Sequence, residues 1–362
     1  MVYLEFLTII VLMLILGFDK HIKLETYILI PVIFMALITG LRFETGSDLI
    51  NYEFVFDWLK EGRIADYEIS YILICKLVQL IHGKFQLVVL VYAILSYLFI
   101  YKALLNIVKS KLEAATFICF FYAMMFSTYF ILMRQFLAAS IIIYALSRDD
   151  ENIIVKYVFL VLAGMFHYGA FVIIPFYIII NSKLLNKNWK RIIVLAIVFL
   201  VGRGVYTLEI IDQLVDVFER YAYYIEKTNY GTNEKISVLI LLLSVIYIAF
   251  LFINIRNDFK EGIFDDDLLL SADKISKGIL LTLIIYFGTI MVGWFHRAYW
   301  YSYMFVAFLP LWSSRFFNKD KSKIIYQFLW ILVIIIYAIY FYITLEASQP
   351  NMFPYKYSLD LF

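Results

Sequence analysis

Arg134 and His167 are cations set in otherwise apolar surroundings. Both lie in the stretch from Tyr129 to Ala170, YFILMRQFLAASIIIYALSRDDENIIVKYVFLVLAGMFHYGA, the arginine near the start of its first apolar segment and the histidine near the end of its second. An antiparallel hairpin turning at Ser147 to Asn152 brings both to the same end of the pair. An ionisable group at membrane depth costs about 2.5–3.5 kcal/mol on insertion scales and is rarely retained without a task. A guanidinium offers five fixed donors that match phosphate oxygens bidentately, and an imidazole can donate or take a proton near neutral pH.

Other residues fall in with this pair. Arg42 follows an apolar segment directly, Arg220 lies in a long polar segment, and Arg297 sits inside GWFHRAYWYSY. Asp48 and Tyr52 in GSDLINY are four apart, hence on one face if the segment is helical. Asp48 could orient an arginine, bind a sugar hydroxyl or act as a base. Several arginines with one histidine at a single membrane surface suit a lipid-linked diphosphate. Each also has a plainer reading: Arg42 as an interfacial anchor, Arg297 stacked on interface aromatics, His167 as a neutral bundle residue, Ser47 as a helix cap.

The elements that must position these residues are membrane helices. Of 362 residues 64% are hydrophobic, against about 45–50% in soluble domains. We expect an all-α polytopic membrane protein of about twelve spans, with cores near 3–17, 25–41, 86–106, 112–128, 135–147, 153–167, 168–181, 191–204, 236–255, 275–294, 299–314 and 324–344. Residues 1–17 lack a basic leader and a small-residue cleavage site, so this segment is expected to stay as a span. Lysine and arginine concentrate in one set of short loops, from Lys20 to Lys323, which the positive-inside rule makes cytoplasmic. Both termini, Arg134 and His167 then face outward. That parity requires Ser70 to His82 to be an interfacial helix rather than a span. The outer face holds the loops 42–85 and 205–235, whose mixed carboxylates and aromatics suggest amphipathic helices. No repeat or linker divides the chain, so we expect a single domain over 1–362. A net charge of +2 with scattered basic residues makes no case for nucleic acid. Cys75 and Cys119 lack metal spacing and are expected to be free, inert thiols.

Six segments in order, GLRFETGSDLINY (40–52), MRQFLAASIIIYA (133–145), AGMFHYGAFVIIP (163–175), FERYAYYIEK (218–227), FHRAYWYSYMFVAFLP (295–310) and PNMFPYKYSLDLF at the end, together resemble the EpsG-like branch of the Wzy polysaccharide polymerases. Gly40, Arg42, Gly46, Asp48, Tyr52, Arg134, Gln135, Phe166, His167 and Ala170 fill that pattern, which departs at Tyr168-Gly169, where a small hydroxyl residue is common.

The resemblance implies a membrane-embedded, C-type glycosyltransferase bundle in the bacterial cytoplasmic membrane, metal-independent and without cofactor. Such an enzyme transfers a growing glycan from undecaprenyl diphosphate onto a new lipid-linked repeat unit on the outer face, inverting the anomeric centre. The arginines Arg42, Arg134, Arg220 and Arg297 would hold the donor diphosphate. His167 or Asp48 would act on the acceptor hydroxyl, with Tyr52, Gln135 and Tyr224 contacting acceptor or sugar. Expected partners are the lipid-linked donor and acceptor, membrane lipid, a chain-length regulator and a flippase. The rival readings are a flippase or other transporter of lipid-linked sugars, an O-antigen ligase and an O-acyltransferase.

Overall fold

The structure, a computed structural model, describes residues 2–43, 47–125, 131–148, 153–182, 185, 187–207, 244–249, 251, 266–289, 298–314, 331–332 and 356–362. Their contacts group into two units, Met1–Phe171 with Lys319–Phe362, and Val172–Asn318.

The first unit is built on α1 (Val2–Phe18), α2 (Leu24–Gly40), α3 (Ser47–Lys60), α4 (Ile69–Leu80), α5 (Phe85–Ile107), α6 (Lys111–Met124), α7 (Met133–Ser147) and α8 (Ile153–Phe166). Helix α5 runs for 23 residues, about 34 Å at 1.5 Å per residue, enough for a hydrocarbon core of about 30 Å. Among the described helices it is the one long and apolar enough to cross a membrane, and the further apolar helices have 10–17 residues. The segments expected at 236–255 and 324–344 lie mostly outside the described residues.

Helix α5 is the axis of this unit. It buries Val88, Val89, Tyr92, Ala93, Ser96, Tyr97 and Ile100, a helical stripe, against α2 and α7. Small residues Ala138, Ala139 and Ser140 let α7 sit deep between α5 and α8, and Tyr97 meets Phe136 edge-on at 5.2 Å. Ser110 caps α6 by accepting from the Glu113 amide, while Glu113 accepts from Lys109 N at 2.8 Å.

The segment at 42–85 forms a helical hairpin. Helix α3 buries Leu49, Tyr52, Val55 and Phe56, the spacing of one apolar face. Gly62, at φ +76, ends it, with Arg63 N reaching back to Trp58 O. Helix α4 occupies the segment expected to lie at the interface, its Gln79 donating to Phe56 O at 2.7 Å. The C-terminal residues return to this end: β2 (Lys356–Tyr357) pairs antiparallel with β1 (Arg42–Phe43), and Lys84 N donates to Leu361 O at 2.8 Å.

The second unit contains α9 (Ile173–Asn181), α10 (Asn188–Thr207), α11 (Asp266–Thr289), α12 (Trp300–Tyr303) and α13 (Leu309–Ser314). Two segments expected to be continuous are broken by 3-10 turns, Tyr168–Val172 before α9 and Met304–Phe308 between α12 and α13. Pro175 and Pro310, which lack the N–H that would bond four residues back, each stand in the first turn of the helix that follows such a break, whereas Pro31 lies inside the continuous α2. Helix α11 is tied to α10 by Arg191, which is 4% exposed and donates to Asp273 at 2.5 Å, Ser276 at 2.8 Å and Leu185 O at 2.9 Å.

Candidate active site

Three elements converge on one carboxylate. Glu68 stands at the cap position of α4, where its carbonyl accepts from the amides of Tyr71 and Ile72. Its side chain, 6% exposed, is ion-paired through Oε2 with Nη1 of Arg134 in the first turn of α7. Its other oxygen, Oε1, lies 3.6 Å from Nδ1 of His167, the residue after α8. The Ser70 hydroxyl pins the end of α8 to α4 by donating to Met165 O at 2.6 Å. The expected meeting of Arg134 and His167 is therefore present, with Glu68 between them.

Arg134 is enclosed by aromatic faces. Its guanidinium carbon lies 4.8 Å from the ring of Tyr52, 4.5 Å from Tyr67 and 5.8 Å from Tyr71. The rings and Glu68 together compensate for the water this cation has lost. The cage is rigid, because Tyr71 donates to Tyr52 O at 2.7 Å and packs on Tyr67 at 5.3 Å. Tyr52, expected to contact sugar, is a wall of this cage.

Three polar atoms here are buried without a hydrogen-bond partner among the described residues: Nε of Arg134, Oε1 of Gln135 and the hydroxyl of Tyr92. Tyr92 is fully buried, its ring 6.2 Å from those of Tyr71 and Phe166 and within electrostatic reach of Arg134 and Glu68. Leaving such a group unsatisfied costs about 1–3 kcal/mol, and a native orphan asks for a functional account.

The histidine's tautomer follows from its neighbours. Nδ1 accepts from the Gly169 amide at 3.2 Å, so its lone pair is in use and the proton of the neutral ring sits on Nε2. In that form His167 donates from Nε2 and is not a base there.

The other expected site residues divide. Asp48 is half-buried one turn before Tyr52 and acts on it electrostatically. Arg42, 1% exposed, stands elsewhere, in the wall of a cavity of about 170 Å³ with Glu53, Lys84, Gln86 and Asp360; Arg134 and His167 do not line it. Arg220, Tyr224 and Arg297 lie outside the described residues, as does Gly46. Sequence reasoning missed Glu68, Tyr67, Tyr71 and Tyr92. A signal existed for Glu68: an arginine inside an apolar segment needs an anion, and ADYEISY places two carboxylates, Asp66 and Glu68, beside tyrosines at the head of an apolar run.

Comparison with known proteins gives one match that spans nearly the whole chain. No curated protein matches, and no solved structure matches. The model of the EpsG family matches residues 25–357, a range that includes Glu68, Arg134, His167 and the cavity around Arg42. The helices that carry these residues are apolar, as expected of a family associated with membranes and polysaccharide biosynthesis, and the chain belongs to the EpsG family.

Proposed function

We propose that this protein is a polysaccharide polymerase, a metal-independent glycosyltransferase that joins undecaprenyl-diphosphate-linked repeat units on the outer face of the cytoplasmic membrane. The observation that carries this reading is the part-buried Arg134 paired with Glu68, whose other carboxylate oxygen lies 3.6 Å from His167, in a chain of a family associated with polysaccharide polymerisation. Twelve spans with both termini outside put that site at the level of a lipid-linked head group.

In this reading Arg134 turns its guanidinium donors from Glu68 to the donor diphosphate. The His167 Nε2–H donates a hydrogen bond to a phosphate oxygen. The acceptor hydroxyl oxygen attacks the anomeric carbon from the face opposite the diphosphate. As that C–O bond forms, the bond to the diphosphate oxygen breaks and undecaprenyl diphosphate leaves with the electron pair, so the configuration inverts. Fixed cations aimed at the leaving oxygens supply the electrostatic stabilisation, of which one donor is typically worth about 3–4 kcal/mol.

The test is polymer length on a gel, from cells lacking this gene and complemented with wild type, Arg134→Ala or His167→Ala. Wild type should restore a long ladder, whereas both variants should reach the membrane yet accumulate single lipid-linked repeats on the outer leaflet. Single repeats on the inner leaflet would instead indicate a flippase, a single transfer a ligase, and acetylated sugar an acyltransferase.

A further inference from the structure

Glu68 has no role in the reading above beyond pairing with Arg134, yet its geometry suits more than pairing. One carboxylate oxygen holds Arg134 and the other lies 3.6 Å from His167. We infer that Glu68 is the general base of the transfer, released for that task when the donor diphosphate takes over Arg134. The inference rests on the polymerase reading and adds to it the residue that takes the acceptor's proton.

Three observations lead there. His167 Nδ1 is occupied by the Gly169 amide, which leaves that ring a donor. Asp48 belongs to α3 and is half-buried, one turn before Tyr52. Glu68 is the carboxylate in direct contact with the arginine that would grip the leaving group. Burying a carboxylate and a guanidinium together gains little net stability. A pair kept in a wall of tyrosines, with Arg134 Nε and the Tyr92 hydroxyl still lacking partners among the described residues, is therefore poorly explained as a structural clamp.

The charges couple the two substrates. Without donor, Arg134 holds one Glu68 oxygen in an ion pair. A bound diphosphate draws on the same guanidinium and sets its own negative charge near the carboxylate, and a neighbouring like charge raises a carboxylate's proton affinity. The carboxylate is thus freed from its cation only when the leaving group is in place. The proton balance closes: the acceptor O–H proton passes to Glu68 as the new C–O bond forms, the diphosphate leaves with the electrons of the broken bond, and Glu68 returns the proton to water before the next cycle.

This arrangement carries a kinetic signature. Glu68→Gln keeps an oxygen for Arg134 and removes both the base and the anion that competes with the diphosphate. The purified full-length protein in nanodiscs should bind undecaprenyl diphosphate at least as tightly as wild type, while membranes of the source cells should elongate polymer slower by about 100-fold or more, the usual range for a lost general base. Glu68→Asp keeps a carboxylate on a shorter arm and should retain an intermediate rate. Wild-type elongation in Glu68→Gln would overturn the inference and leave the polymerase reading standing. Loss of both binding and elongation in Glu68→Gln and Glu68→Asp alike would also overturn it, by showing a structural clamp. Absence of polymer from wild-type membranes would overturn both.

Discussion

Gly40, the last residue of α2, packs against the main chain of α5, and the cost of filling it can be worked from distances. A methyl group built there would lie 2.6 Å from Leu90 Cδ1, 3.1 Å from Leu90 Cα and 3.2 Å from Ala93 Cβ. Carbon pairs are comfortable at about 3.5–4.0 Å. Rotating Leu90 relieves the first contact but not the second, which is to main chain, so α2 and α5 must separate by about 0.5 Å. Overpacking of this kind costs about 1–3 kcal/mol, and alanine's better helix propensity returns up to about 1 kcal/mol, so Gly40→Ala should destabilise by a net 1–2 kcal/mol or so. Two other glycines calibrate the estimate. At Gly164 the methyl would meet the Phe171 ring at 2.4–2.5 Å, but that ring is 39% exposed and can swing away; the loss should stay below about 1 kcal/mol. At Gly17 the nearest atoms are 3.8 Å off, and alanine should be neutral or slightly stabilising. Thermal unfolding of the three variants in one detergent gives the order. The reasoning fails if Gly40→Ala melts with wild type, or if Gly17→Ala melts below it.

Burial pushes the Asp273 carboxyl up, but Arg191 and Lys277 outweigh it and hold the group below the ordinary carboxylate range. A depressed folded-state value means the pair stabilises fully above about pH 4, the unfolded value, and loses this as pH falls further; the melting gap between wild type and Asp273→Asn should be constant near neutrality and shrink below about pH 4. A gap that instead widens in acid would contradict the pairing. Cys75 and Cys119 are free and buried, so a maleimide should leave both unlabelled in the folded protein and label both after denaturation; labelling of native protein would place either thiol at a surface.

Much of the fold was legible because hydrophobic periodicity is a local signal. The segment expected at 86–106 is α5 at Phe85–Ile107, and those at 25–41 and 153–167 are α2 and α8 to within a residue. Where the expectation of one continuous helix gave way, at Tyr168–Val172 and at Met304–Phe308, a proline follows each break. An apolar run carries no mark of its break beyond a proline, and Pro175 and Pro310 were each absorbed into an apolar count that ignores the missing N–H. The glycines that set helix separations were harder to read. Gly40 was legible as part of a motif, but its reason, the approach of Leu90 Cα, comes from a helix about fifty residues away.

The site divides along the same line. Arg134 and His167 could be found because an ionisable residue inside an apolar run contradicts its own surroundings, and that contradiction is written in a few neighbouring residues. Glu68 could not be found so directly. It belongs to a polar segment where a carboxylate contradicts nothing, and its partner is 66 residues on. Arg191 repeats the case, with Asp273 82 residues away. In both, periodicity gives each helix but not which helix end meets which, and the meeting is decided by the need to neutralise a cation that packing has removed from water. A buried arginine therefore predicts a carboxylate on some other element. Reading outward from Arg134, the acid flanked by Tyr67 and Tyr71 in ADYEISY is the one able to give both the anion and the aromatic faces that a dehydrated guanidinium requires. By that argument Glu68 is as much a part of the site as the arginine itself.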